Sequence, residues 1–330
     1  MRSLIGVVLL VCGLSLIQAG CAPDAPHDNP LDPSSPNYTN GGRVTGRILG
    51  MSLPYNGVSN ALVTILQNGS AQLTTSDGSF SFADAPSGQI KLTIAKSGYL
   101  TDTLAIDLSV GSNVDTTVHL DALPQITGEE VVTSKIDQWW PGPVYSATVT
   151  ANVTDPDGQV DIMDSTVQVR VDSLSFTMDR ITGSTYQVVI DDSQLPNQDL
   201  QWLVGKELTV IARDHEDAVG SSSPFFVSRI IEPEAMPTSP VGLQITTPSP
   251  VLEWNPPSVT YNYTYELQVV HIDTSTGIQT LVWSESGIIS PGGTFSYPGT
   301  LSSGTYYWTV AIIDDYGNSS RSKEASFKVQ

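Results

Sequence analysis

The residues of this 330-residue chain that could do chemistry are mainly carboxylates, 34 Asp and Glu against 14 Lys and Arg. Asp155-Pro156-Asp157-Gly158-Gln159-Val160-Asp161, with Asp164 close behind, sets hard oxygen donors at alternating positions around a glycine, as calcium requires. The segment lacks the twelfth-position Glu and the flanking helices of an EF-hand. Asp-Pro-Asp-Gly is also an ordinary connector between strands, so a calcium loop at Asp155, Asp157 and Asp161 competes with a plain turn, and the turn is the expectation. Asp214-His215-Glu216-Asp217 crowds an imidazole among acids, a group that could hold a metal or shuttle protons. It falls where a later repeat has Asp314-Asp315-Tyr316-Gly317, so it reads as a solvated hairpin tip. Trp139-Trp140-Pro141 offers neighbouring indoles that could stack on a sugar ring or an aromatic peptide side chain. Strand alternation would send one of the pair into the core and leave the other outside.

Constellations for catalysis are missing from the sequence. There is no Gly-x-Ser-x-Gly, no His-Glu-x-x-His and no phosphate-binding glycine loop. His27, His119, His215 and His271 lie in separate segments without ligand spacing. The chain therefore reads as a non-enzyme, with no cofactor expected unless calcium binds.

The elements that must position these residues are strands. Val, Ile, Thr and Tyr are frequent, charged residues make up only 15%, and 27 Gly with 22 Pro supply turns, the profile of an all-β extracytoplasmic chain. The formal net charge of −20 opposes nucleic acid, whose binding depends on Lys and Arg displacing counterions, and no basic cluster is present. Nucleic acid is thus not an expected partner.

One Arg precedes an apolar run from Leu4 to Ile17, and small residues then lead into Cys21, the pattern of an export signal over 1–20. Ala19-Gly20-Cys21 resembles the end of a bacterial lipoprotein signal, which implies that Cys21 carries lipid as the first residue of the mature chain and anchors it to a membrane. The sequence departs from that pattern at Gln18, where an apolar residue is usual; the alternative is an ordinary secretory signal with Cys21 left as a free thiol. Residues 21–42 are rich in Pro, Asp and Ser and read as a tether, which at about 3.1 Å per residue could reach roughly 60 Å. No later apolar run approaches the roughly 18 residues of a membrane-spanning helix. Ala22 lacks the Asp associated with inner-membrane retention in such lipoproteins, which implies outer-membrane sorting, with the chain periplasmic or on the surface.

Three folded segments follow, 43–123, 124–234 and 235–330, each with apolar residues at every second position. In the first, Val44-Thr45-Gly46-Arg47-Ile48, Val58 to Val63, the Asp77-Gly78-Ser79-Phe80 turn, Pro86-Ser87-Gly88 and Lys96-Ser97-Gly98-Tyr99 resemble, in order, carboxypeptidase regulatory-like domains. That resemblance implies a small transthyretin-like β-sandwich serving as a structural or accessory module. The second segment resembles immunoglobulin-like domains loosely. In the third, Pro250 to Trp254 and the Leu301 to Tyr306 turn resemble the core-Trp strand and tyrosine corner of fibronectin type III modules. Thr209 to Asp214 and Thr309 to Asp314 end strands alike, so the last two segments read as relatives spaced near 100 residues.

The expectation is therefore an all-β chain of three tandem β-sandwiches behind a lipoprotein signal and tether, acting as a binding scaffold or spacer. A polysaccharide or another envelope protein is the expected partner, with Trp139 or Trp140 as the stacking group. An accessory subunit of an envelope enzyme or secretion complex is the remaining alternative.

Overall fold

The computed structural model describes Ser35 and residues 41–330, so Cys21, the leader and most of the tether lie outside the described residues. The chain is all-β, and its contacts divide it into two units at Ala122 and Leu123.

The first unit contains β1 (Gly41–Gly50), β2 (Leu62–Ile65), β3 (Ala71–Leu73), β4 (Ser79–Pro86), β5 (Gly88–Ala95), β6 (Asp102–Leu108) and β7 (Asn113–Leu120). One sheet runs β4-β1-β7, with β1 antiparallel to β4 and parallel to β7, and the other runs β3-β2-β5-β6. Alternation explains the sandwich: Ile90, Leu92 and Ile94 of β5 are buried, and they share one core with Val44, Ile48, Val63 and Leu120. The Asp77-Gly78 turn leads into β4. Gly78 has φ +81, and a Cβ there would lie 2.1 Å from the Ile48 carbonyl oxygen, so two constraints demand glycine. Thr75 and Ser79 hydroxyls donate to the Asp77 carboxylate at 2.6 and 2.8 Å and hold its pKa down at about 2.

The second unit has two apolar cores and a sheet that serves both. Its first part contains β8 (Gln125–Ile136), β9 (Val144–Thr154), β10 (Gln168–Val171), β11 (Leu174–Thr177), β12 (Asp179–Thr182), β13 (Thr185–Asp191), β14 (Leu208–Arg213) and β15 (Val219–Ser221). Next come β16 (Met236–Ser239), β17 (Gln244–Thr246), β18 (Val251–Asn255), β19 (Tyr263–Ile272) and β20 (Gln279–Ile288). The last are β21 (Thr294–Ser296), β22 (Gly304–Asp314), β23 (Ser319–Arg321) and β24 (Ala325–Val329). The first core fills the space between β12-β13-β9-β8 and β11-β10-β14-β15 with Ala147, Val149, Ala151, Val169, Tyr186 and Val210. The second packs Trp254, Leu267, Val269, Tyr306, Trp308 and Phe327. As expected of a tyrosine corner, the Tyr306 hydroxyl donates to the Ser302 carbonyl at 2.9 Å.

A parallel pairing of β23 with β8 joins these halves, Ser319 opposite Ser134 and Arg321 opposite Ile136. The result is one ten-stranded sheet containing β12-β13-β9-β8-β23-β22-β19-β20, with β24 and β17 attached beside β22. The seam is polar. Asn318 is fully buried; its side-chain oxygen accepts from the Thr133 amide at 2.9 Å, and its nitrogen donates to Ser228 at 3.0 Å. Among the described residues no helix is long and apolar enough to cross a membrane.

Candidate functional site

Two places in the second unit gather the residues that the sequence singles out. The first is the connector after β9. Asp155 is 8% exposed and uses Oδ1 to accept the Asp157 amide at 2.8 Å, an Asx-type turn completed by Gly158 at φ +125. Backbone bonds then fasten the connector to the hairpin between β14 and β15: His215 donates its amide to the Asp161 carbonyl at 3.1 Å, and Met163 donates to the Arg213 carbonyl at 3.0 Å. The chain thereby brings Asp155, Asp157 and Asp161 together with Asp214 and Glu216. Carboxylate oxygens of Asp157 and Asp161 approach within 4.8 Å of each other.

Electrostatics in this cluster are one-sided. Burial pushes the Asp155 carboxyl up to about 7; the Asp157 amide opposes that rise, and the charges of Asp161, Asp157 and Asp214 add to it. Asp214 is raised for the same main reason, burial, with Asp161 and Asp157 contributing. Glu216 is raised chiefly by its hydrogen bond to the Asp161 carboxyl. An imidazole borders the group: His215 Nδ1 lies 2.6 Å from the Asp161 carbonyl oxygen and 3.7 Å from its carboxylate.

The hairpin tip at Asp214 differs from its sequence reading. His215, Glu216 and Asp217 are exposed as a tip should be, but Asp214 is fully withdrawn from solvent. A short side chain at the end of a core strand turns inward and caps its own turn, its Oδ1 accepting the Glu216 and Ala218 amides at 3.1 and 2.7 Å. The sequence thus offers Asp214 and Glu216 as a separate group and does not join them to Asp155, Asp157 and Asp161, although Asp214 shares its place with the buried Asp314 of the later repeat.

The second place is the bend after β8, and here both indoles lie outside. Trp139 is 73% and Trp140 81% exposed. Alternation does not apply because β8 ends at Ile136 and neither residue is in a strand. Trp139 is nevertheless fixed: its Nε1 donates to the Glu324 carbonyl at 2.9 Å, and the Lys323 ammonium sits 4.8 Å from its ring centre. It walls a cleft of about 510 Å³ together with Glu234, Met236, Pro237, Val241 and Lys323. Trp254 and Trp308, read from sequence as core, are both buried.

No family model matches the chain, and no curated protein matches it either. Solved structures align with it at low similarity. The major pilin subunit of Bacillus cereus is 10% identical with a TM-score of 0.29, covering 87% of this chain and 95% of that one. The fibronectin(III)-like modules of Clostridium thermocellum CbhA are 14% identical with a TM-score of 0.29, covering 63% and 93%. The FN1-FN3 domains of chicken CNTN1 are 9% identical with a TM-score of 0.31, covering 84% and 92%. At TM-scores this low the likenesses carry nothing over to the chain, whose all-β class rests on its own strands and sheets.

Proposed function

We propose that the chain is a non-enzymatic scaffold of the bacterial cell envelope, held in the outer membrane by lipid on Cys21, whose second unit binds polysaccharide. The observation that carries the binding part is the fixed, exposed Trp139 that lines the cleft, next in sequence to the exposed Trp140. An indole clamped through its N–H and one cation loses little freedom when a sugar ring stacks on it, which is how aromatic platforms obtain affinity at low entropic cost. Glu234, Lys323 and Glu324 line the same cleft and supply polar partners for hydroxyl groups. The resemblance of the first unit to carboxypeptidase regulatory-like domains supports a spacer role for it, between the tether and the second unit.

The test is affinity electrophoresis of the full chain in gels containing envelope and capsular polysaccharides. Retardation that Trp139→Ala and Trp140→Ala both reduce supports the reading, and retardation unchanged in the double variant removes it. Labelled palmitate incorporated by the wild type but not by Cys21→Ala tests the anchor separately.

A second reading rests on β20. This strand ends the shared sheet, ten residues long with Leu281 and Val282 exposed, and such an edge can pair with an extended segment of another envelope protein. Crosslinking in intact cells that recovers no consistent partner would count against it.

A further inference from the structure

The cluster at the end of β9 has an internal control within the same chain. β14 and β22 run into hairpins that share a set of equivalent bonds. The Val210 and Val310 amides donate to the hydroxyl oxygens of Ser222 and Ser322 at 3.0 and 3.1 Å, and the Ser222 and Ser322 amides donate back to the Val210 and Val310 carbonyls at 2.9 Å each. Asp314 Oδ1 accepts the Tyr316 and Asn318 amides at 2.9 Å each, just as Asp214 Oδ1 accepts Glu216 and Ala218. The second carboxylate oxygen separates the copies. Asp314 Oδ2 receives the Arg229 guanidinium at 2.8 Å and the Asn318 side-chain amide at 3.1 Å, where the first hairpin has Ala218. Asp214 Oδ2 is buried and has no hydrogen-bond partner among the described residues, and the same holds for Asp155 Oδ2. Asp314 thus faces a guanidinium, whereas the charges acting on Asp214 are the carboxylates of Asp161, Asp157 and Asp155.

We propose that Asp155, Asp157, Asp161 and Asp214 bind a calcium ion, with Glu216 at its outer edge. A buried carboxylate oxygen without a donor is costly; one repeat meets that cost with a guanidinium and a side-chain amide, and in the other, which has neither, it is met by a cation from solution. The donors are hard oxygens carried on an Asp-x-Asp-Gly turn, with no cysteine beyond residue 21 and with the nearby imidazole nitrogen engaged by the Asp161 carbonyl, which selects calcium over zinc. Magnesium, which demands near-octahedral geometry and keeps its waters, suits a crowded group of side-chain carboxylates less well. The ion would tie the 155–161 connector to the β14–β15 hairpin, two segments joined otherwise through main-chain carbonyls such as those of Asp161 and Arg213.

The test strips the purified full chain with EDTA and titrates it with calcium chloride by calorimetry, alongside thermal melts with and without the ion. Saturable binding and a rise in melting temperature of roughly 4 °C or more at saturation are expected. Asp214→Asn, which keeps the Oδ1 cap, should weaken calcium about tenfold or more, while Asp315→Asn, the same charge change in the later hairpin, should leave it unchanged. Should Asp214→Asn fold poorly, Asp157→Asn reads the same site from the connector. A flat titration, or calcium affinity retained in both Asp214→Asn and Asp157→Asn, or lost equally in Asp315→Asn, overturns the proposal.

Discussion

Asp214 and Asp314 cap equivalent turns and are both buried, yet Arg229 reaches Asp314 at 2.8 Å while no described side chain donates to the second oxygen of Asp214. Removing charge should therefore have opposite effects at the two places. Arg229 also lies 3.9 Å from the Tyr261 ring centre, so it is held from two sides. Arg229→Ala leaves the buried Asp314 carboxylate without its counter-charge and should cost about 2–3 kcal/mol, less than a fully orphaned charge because the Tyr316 and Asn318 backbone amides and the Asn318 side-chain amide still donate to it. Urea unfolding measures it, and adding Asp314→Asn to the variant should restore part of the loss.

At Asp214 the sign reverses when divalent ions are absent. Its neighbours are like charges, so Asp214→Asn removes repulsion while its side-chain oxygen continues to accept the Glu216 and Ala218 amides. In EDTA the variant should be more stable than the wild type by about 1 kcal/mol. A destabilised variant in EDTA would show that repulsion among the carboxylates does not govern stability there.

The seam between β23 and β8 depends on Asn318, whose amide group serves Thr133, Ser228 and Asp314 at once. Asn318→Ala leaves the Thr133 amide and the Asp314 carboxylate short of partners in a buried site and should cost about 2–3 kcal/mol. Because the seam joins two cores, the denaturation curve of the variant should also broaden or split, since separate melting of the halves breaks two-state behaviour.

Gly78 makes a sharper prediction because it is constrained twice, by φ +81 and by the Ile48 carbonyl in the way of any Cβ. Gly78→Ala should destabilise the first unit by about 2 kcal/mol or more, where Gly98→Ala, at φ +79 but with nothing within 4 Å, should cost about 1 kcal/mol. Equal effects would mean that φ alone matters.

These residues also show what the sequence discloses and what it hides. Ile90, Leu92 and Ile94 announce their strand because a one-sided core writes itself as period two, and Asp77-Gly78 announces its turn because few residues tolerate positive φ. The β23–β8 seam is invisible, since Ser319, Ser320 and Arg321 carry no apolar signal and pair with residues far away in the chain. Asp214 is hidden for a related reason: Asp-His-Glu-Asp has the composition of a solvated tip, and only its alignment with Asp314 points inward. Trp139 and Trp140 mislead because they lie past the end of β8, where no ladder enforces alternation.

Two phenols predict how stability changes at alkaline pH. The Tyr265 hydroxyl is raised to about 12, first by burial and then by its bond with Tyr263 at 3.1 Å; Tyr145 is raised to about 12, first by burial and then by donating to Glu232 at 2.8 Å. Both folded values exceed the ordinary 10.0, so the folded chain keeps protons that the unfolded chain has already released. Their contribution is therefore fully present below pH 10 and is lost as pH rises toward 12. For Tyr265, 2% exposed, the loss should approach about 2 kcal/mol across that window. Unfolding free energies measured through it, with tyrosinate absorbance followed in parallel, should fall steeply in the wild type. Tyr265→Phe and Tyr145→Phe should each flatten the slope, since neither ring then has a proton to release; a slope unchanged in both variants would assign the alkaline loss to other groups.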